Sequence, residues 1–143
     1  MFTTKEAVAI HTKRAKLVAN QFLELYGPSQ VVPDENADGV ISKCHQSFVT
    51  IRTGLQKRMN GNTDEPHLAQ YVHEPLRIEL AGKSTFCQQL LMLTEEFDKT
   101  LRFIETAWIQ GFITIRDHGE MMRSLEGRIF STARRVHRRL SAA

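Results

Sequence analysis

Phe86, Leu90, Leu93, Phe97, Leu101, Ile104 and Trp108 recur at spacings of four, three, four, four, three and four. Residues three and four apart stack along one side of an α-helix, so this period specifies a long amphipathic helix. The charged residues Glu95, Glu96, Lys99 and Arg102 fall off the stripe, and Gly111 ends it. A helix over 86–110 spans roughly 40 Å at ~1.5 Å per residue and must bury its stripe against partners of similar length. One partner follows directly. Thr114-Ile115-Arg116-Asp117 has the form of a capping box, with aspartate in place of glutamate. Met122, Leu125, Ile129, Ala133, Val136 and Leu140 then make a second stripe. The short connection predicts that 86–110 and 114–140 form an antiparallel helix hairpin.

Upstream, Thr3-Thr4-Lys5-Glu6 also reads as a capping box. Val8, Ala15, Val18, Phe22 and Leu25 follow on one helical face, so the first helix is expected from about Thr4 to Tyr26, stopped by Gly27-Pro28. Residues 28–39 read as loop, with Val31-Val32 as a short extended piece. Ile41, Cys44, Phe48, Ile51, Leu55 and Met59 restore the helical period over Val40–Met59. Asn60-Gly61-Asn62 is a turn, and Asp64-Glu65-Pro66 opens a short helix that ends before Pro75. Leu76-Arg77-Ile78-Glu79-Leu80 alternates apolar and polar residues as a strand does. One strand cannot stand alone, so it needs Val31-Val32 or a second subunit as partner. Gly82-Lys83-Ser84 closes it, and Ser84 or Thr85 caps the next helix. The expected fold is therefore mainly α. It is one helical domain over 1–143, a bundle of about four or five helices with a long C-terminal hairpin and one short strand pair.

At 143 residues with 41% hydrophobic and 24% charged residues, the chain has the composition of a globular domain with a real core. Cys44 and Cys87 are too few for a disulfide framework and lie near the apolar stripes as small core residues, although one bridge between them stays open. The N-terminus has no basic segment followed by an apolar run, and no stretch approaches the ~20 apolar residues of a membrane span. A cytoplasmic location is expected, with no membrane partner.

Charge is unevenly distributed. The chain carries 19 Lys+Arg against 16 Asp+Glu. Residues 128–143 hold Arg128, Arg134, Arg135, Arg138 and Arg139 and no acid. Without those five the balance is 14 against 16, so the positive excess sits at one helix end on a slightly acidic body. On a helical wheel Arg128, Arg135 and Arg139 fall within about 40° of one another, with Arg123, Arg134 and Arg138 further round, all outside the apolar sector. A line of guanidinium groups matches a row of phosphates and holds them without reading sequence. The same arginines would also complement the negative end of their own helix on an ordinary solvated face. Lys13, Arg14 and Lys16 join the row if the first helix lies alongside.

Other motifs point to no chemistry. Ala81-Gly82-Lys83-Ser84-Thr85 imitates the end of a phosphate-binding loop, but Arg77 stands where that loop needs a glycine. It reads as a turn plus an N-cap. His11, His45, His67, His73, His118 and His137 show no zinc-type spacing with each other or with the cysteines. Glu95, Glu96 and Asp98 read as a solvated helix face, and Trp108 as a core or interface anchor. No residue set for catalysis can be named, and no cofactor or metal is expected.

Two stretches resemble a known family. Asp64-Glu65-Pro66-His67-Leu68-Ala69 is similar to an Asp-Asp-Pro-Tyr-Ala-type motif. Pro75-Leu76-Arg77-Ile78-Glu79-Leu80 is followed by Leu90-Leu91, Glu96-Phe97-Asp98, Thr106-Ala107 and Gly111-Phe112-Ile113. This order resembles the AcaB-like family, encoded on integrating conjugative elements and conjugative plasmids. It covers about the second half of the chain, with Thr4, Ala7 and Arg14 extending it weakly. The resemblance implies a role in conjugative transfer. In at least one branch it implies DNA-binding transcriptional regulators related to ribbon-helix-helix proteins, in which strands paired from two halves enter the major groove. Arg77 and Glu79 would then be the reading face. The expected function is non-catalytic binding of double-stranded DNA by a regulator or accessory factor of a mobile element, alone or as a homodimer. The alternative is a helical interaction module, such as an adaptor, subunit or inhibitor, whose basic face meets an acidic protein.

Overall fold

The computed structural model describes residues 5–26, 36–60 and 74–142, with side chains through 59 and 136 in the last two segments. Among them are four helices and one two-stranded sheet: β1 (Ala7–Ile10), α1 (Lys13–Tyr26), α2 (Ala37–Asn60), β2 (Leu76–Glu79), α3 (Thr85–Ile109) and α4 (Ile115–Ala142). The fold is mainly α, as the periodicities predict. Val31-Val32, the Thr3 cap, the Gly27-Pro28 stop, the turn after Asn60 and the short helix at Asp64-Glu65-Pro66 lie outside the described residues.

The central element is α3. Helices α1, α2 and α4 and strand β1 all pack on it. Phe86, Leu90, Leu93, Phe97, Leu101 and Ile104 are completely buried, and so are Cys87, Leu91 and Ala107 on other sides of the helix. Polar groups inside this shell are satisfied locally. The hydroxyls of Thr94, Thr100 and Thr106 each donate to the carbonyl four residues back at 2.8 Å. Ser84 caps the N-terminus, its Oγ accepting from Cys87 N at 3.1 Å. Gly82, at φ +80, makes the preceding turn, so this segment is the turn and cap expected of it. Gly111, at φ +82, ends the helix in the left-handed region that favours glycine.

The hairpin forms as predicted. Thr114 Oγ1 accepts from Asp117 N at 3.1 Å, capping α4. His118 lies 3.1 Å from Glu105, and Leu101 and Met122 line one depression, which fixes α3 and α4 as antiparallel. Met122, Leu125, Ile129, Ala133 and Val136 are buried; the Leu140 side chain lies outside the described residues.

The first expected helix is corrected. Residues 7–10 form a strand, and the helix starts at Lys13 with Thr12 as its cap; Thr12 Oγ1 accepts from Ala15 N at 3.2 Å. Strand β1 is the partner that β2 required, so the pairing is within one chain. The strands are antiparallel, with Val8 opposite Ile78 and Ala9 opposite Arg77. Val8 fits a period of two as well as a helical stripe, and buried Val8 and Ile10 point to the core. The reason for the strand lies in α3. Glu95 accepts from Ala9 N at 2.9 Å and from Lys5, and Asp98 accepts from Thr12 N at 2.7 Å. These amides are bonded to another element and not to a helix of their own. Glu95, Glu96 and Asp98 are therefore not a solvated face: Asp98 is 2% exposed, and Glu96 pairs with Arg52 at 2.8 Å. Leu25, expected in the core, is 61% exposed.

Candidate nucleic-acid interface

Arg128, Arg134 and Arg135 of α4 divide between two grooves. Ser124, Arg128, Ser131 and Arg135 follow at spacings of four, three and four and so share one face, which packs beside α2. Helix α2 runs antiparallel to α4 there. Arg128 Nη1 donates to Ser47 Oγ at 2.8 Å, and Thr132 lies against Cys44. Lys43, one turn before Ser47, completes the wall. The result is a groove of about 340 Å³ with three cations in its lining and no carboxylate.

Arg134 points to the other flank, where α1 runs alongside α4. It lines a mainly apolar depression with Phe22, Leu25, Tyr26, Phe130 and Ala133. Arg128, Arg134 and Arg135 are all exposed. Among the described residues neither Arg134 nor Arg135 has an ion-pair or hydrogen-bond partner, and Arg128 has only the Ser47 hydroxyl. Arg138 and Arg139 continue the helix backbone, but their side chains lie outside the described residues.

The remaining expected cations are placed differently. Arg14 is in an ion pair with Glu126 of α4 at 2.6 Å, so α1 does lie alongside but spends this charge on a carboxylate. Lys16 donates to the Glu74 carbonyl at 3.1 Å, and Lys13 is exposed near the same α1–α4 seam. Arg77 and Glu79 stand side by side on the outer face of β2, Nε to Oε1 at 3.0 Å, both exposed. Sequence reasoning missed Lys43. Its signal would have been the Lys43–Ser47 spacing of four on a face free of acids, but only the packing of α2 on α4 makes that face relevant.

The groove carries no negative charge of its own. Burial pushes the Cys44 thiol above the usual thiol range, opposed by the hydrogen bond with Thr132 and by the Arg128 charge. Cys87, in the core, is pushed up by burial as well, and both thiols are free.

The chain is similar in fold to AcaB from uropathogenic E. coli. The superposition with that crystal structure of the selenomethionine-containing protein has a TM-score of 0.71 at 17% identity, covering 93% of this chain and 76% of the other. At that identity the likeness shows shared architecture, and the resemblance seen in the sequence holds at the level of fold. No family model and no curated protein matches the chain. Among the described residues no helix is long and apolar enough to cross a membrane.

Trp108, expected as a core or interface anchor, is 37% exposed. It stacks on His118, ring centroids 4.6 Å apart, at the α3–α4 turn.

Proposed function

We propose that the chain binds double-stranded DNA without catalysis, as a regulator or accessory factor of a conjugative mobile element. The observation that carries this reading is the exposed run Arg128, Arg134 and Arg135 on α4, which has no carboxylate partner among the described residues. A buried or neutralised row would leave no field for a polyanion; an exposed one raises the local potential and clamps phosphates. The fold shared with AcaB agrees with the family resemblance in the sequence. Contacts of this type release counterions, so binding to duplex DNA weakens steeply as salt rises. A filter-binding titration from low to moderate salt tests it: a flat profile, or no retention at low salt, removes the nucleic-acid role.

The alternative, a protein-interaction module, draws on a different feature. Ile109, Phe112 and Ile115 are exposed together around the α3–α4 turn, at 65%, 41% and 71%. A partner captured from the native host that survives nuclease treatment, with no DNA retained, would favour it.

A further inference from the structure

We propose that the groove between α2 and α4 seats one phosphate group, gripped by Lys43, Arg128 and Arg135 and hydrogen-bonded by Ser131. The inference deepens the nucleic-acid reading and rests on it for the source of the phosphate, a backbone phosphodiester of duplex DNA. Three cations converge on about 340 Å³ with no carboxylate in the lining. Like charges brought together repel, at about 1 kcal/mol for a pair 4 Å apart in water and more where solvent is displaced. An anion between them reverses the sign of that interaction. The helices are arranged for such an anion. Lys43 and Ser47 share one face of α2, and Arg128, Ser131 and Arg135 share one face of α4.

Arg128 is held ready rather than consumed. Its Nη1 donates to Ser47 Oγ at 2.8 Å, while the Ser47 hydroxyl donates to the Lys43 carbonyl at 3.1 Å. A guanidinium has five N–H donors, so one fixed bond orients the fork and leaves the rest for oxygen atoms. The Thr132 hydroxyl is occupied by the Arg128 carbonyl at 2.8 Å, whereas Ser131, one turn from both Arg128 and Arg135, lines the groove between them.

The test uses the full chain with two probes. Inorganic phosphate is titrated at matched ionic strength while backbone amide resonances are followed. A short DNA duplex is titrated at several salt concentrations with wild type, Lys43→Gln, Arg135→Gln and Arg134→Gln. Phosphate is expected to shift resonances of 43–47 and 128–135. Lys43→Gln is expected to lower duplex affinity about fivefold and to flatten the salt slope, by no more than the ~0.9 of one whole phosphate contact. Lys43→Gln with Arg135→Gln should cost less than the product of the single losses, because both grip one phosphate; Lys43→Gln with Arg134→Gln should multiply. If Lys43→Gln changes neither affinity nor slope while Arg135→Gln changes both, the seat is wrong and DNA binding stands. If the duplex does not bind but phosphate still shifts the groove, DNA binding is wrong and the seat holds a free phosphate. Phosphate shifts confined to other residues overturn the seat, and no response to either probe overturns both.

Discussion

Asp98 Oδ1, on the central helix α3, accepts a 2.7 Å hydrogen bond from the backbone amide of Thr12, the residue that caps α1. The carboxylate is 2% exposed and sits at the positive end of α1, where a negative charge is favoured. Asp98→Ala leaves a buried N–H without its acceptor and should lower unfolding stability by about 2–3 kcal/mol, measured by urea denaturation. Thr12→Ala removes only the cap hydroxyl and should cost about 1 kcal/mol. If Asp98→Ala unfolds within about 0.5 kcal/mol of wild type, this bond does not anchor the junction.

That bond also explains where the sequence stopped being legible. The hairpin was readable because its stripes are long and each heptad repeats the same answer. The strand at Ala7–Ile10 was not: Val8 falls on the helical stripe of the residues after it, two alternating residues are too few to establish a period of two, and the deciding partners, Glu95 and Asp98, lie far along the chain. Those carboxylates looked solvated because their spacing places them off the stripe of α3, yet α3 is covered on several sides. The arginine row was legible from charge alone. Its division between two grooves, and the part of Lys43, depended on which faces of α1 and α2 meet α4.

Two ion pairs differ in what their loss should cost. Arg52 has a side chain 13% exposed, pairs with Glu96 at 2.8 Å and donates to Thr100 Oγ1 at 3.0 Å. Arg77 and Glu79 are both more than half exposed and well screened. Arg52→Ala strips partners from half-buried acceptors and should destabilise by about 2 kcal/mol, while Arg77→Ala should stay within about 0.5 kcal/mol. Equal urea midpoints for the two variants would contradict this ranking.

The buried thiols predict an alkaline loss of stability. Burial raises Cys44 and Cys87 above the usual thiol range, so the folded state holds these protons more tightly than the unfolded chain. Such a group stabilises fully below the unfolded pKa, and its contribution falls away as pH rises through the folded one. Stability should decline from about pH 8.5 upward on account of the thiols. Thermal melts across that range should decline less steeply for Cys44→Ala than for wild type, whatever the offset between the two curves. Parallel curves would mean that the thiol does not titrate differently on folding.

Charge at the arginine row should alter binding without altering the fold. Arg134 and Arg135 are exposed and have no polar partner among the described residues, so Arg135→Glu should unfold within about 0.5 kcal/mol of wild type. Phosphate contacts carry no sequence information, so Arg135→Glu should weaken binding by the same factor on unrelated duplexes. Arg116, at the other end of α4 beside Glu120, provides the control: Arg116→Glu makes the same change in net charge but should cost far less affinity. The ribbon behaves differently if it reads bases. Arg77→Gln would then narrow the difference between preferred and random duplexes by about 1–3 kcal/mol while changing affinity for random DNA little. Competition titrations with both duplexes separate the two roles. An equal loss from Arg116→Glu and Arg135→Glu would reduce the row to a diffuse effect of net charge.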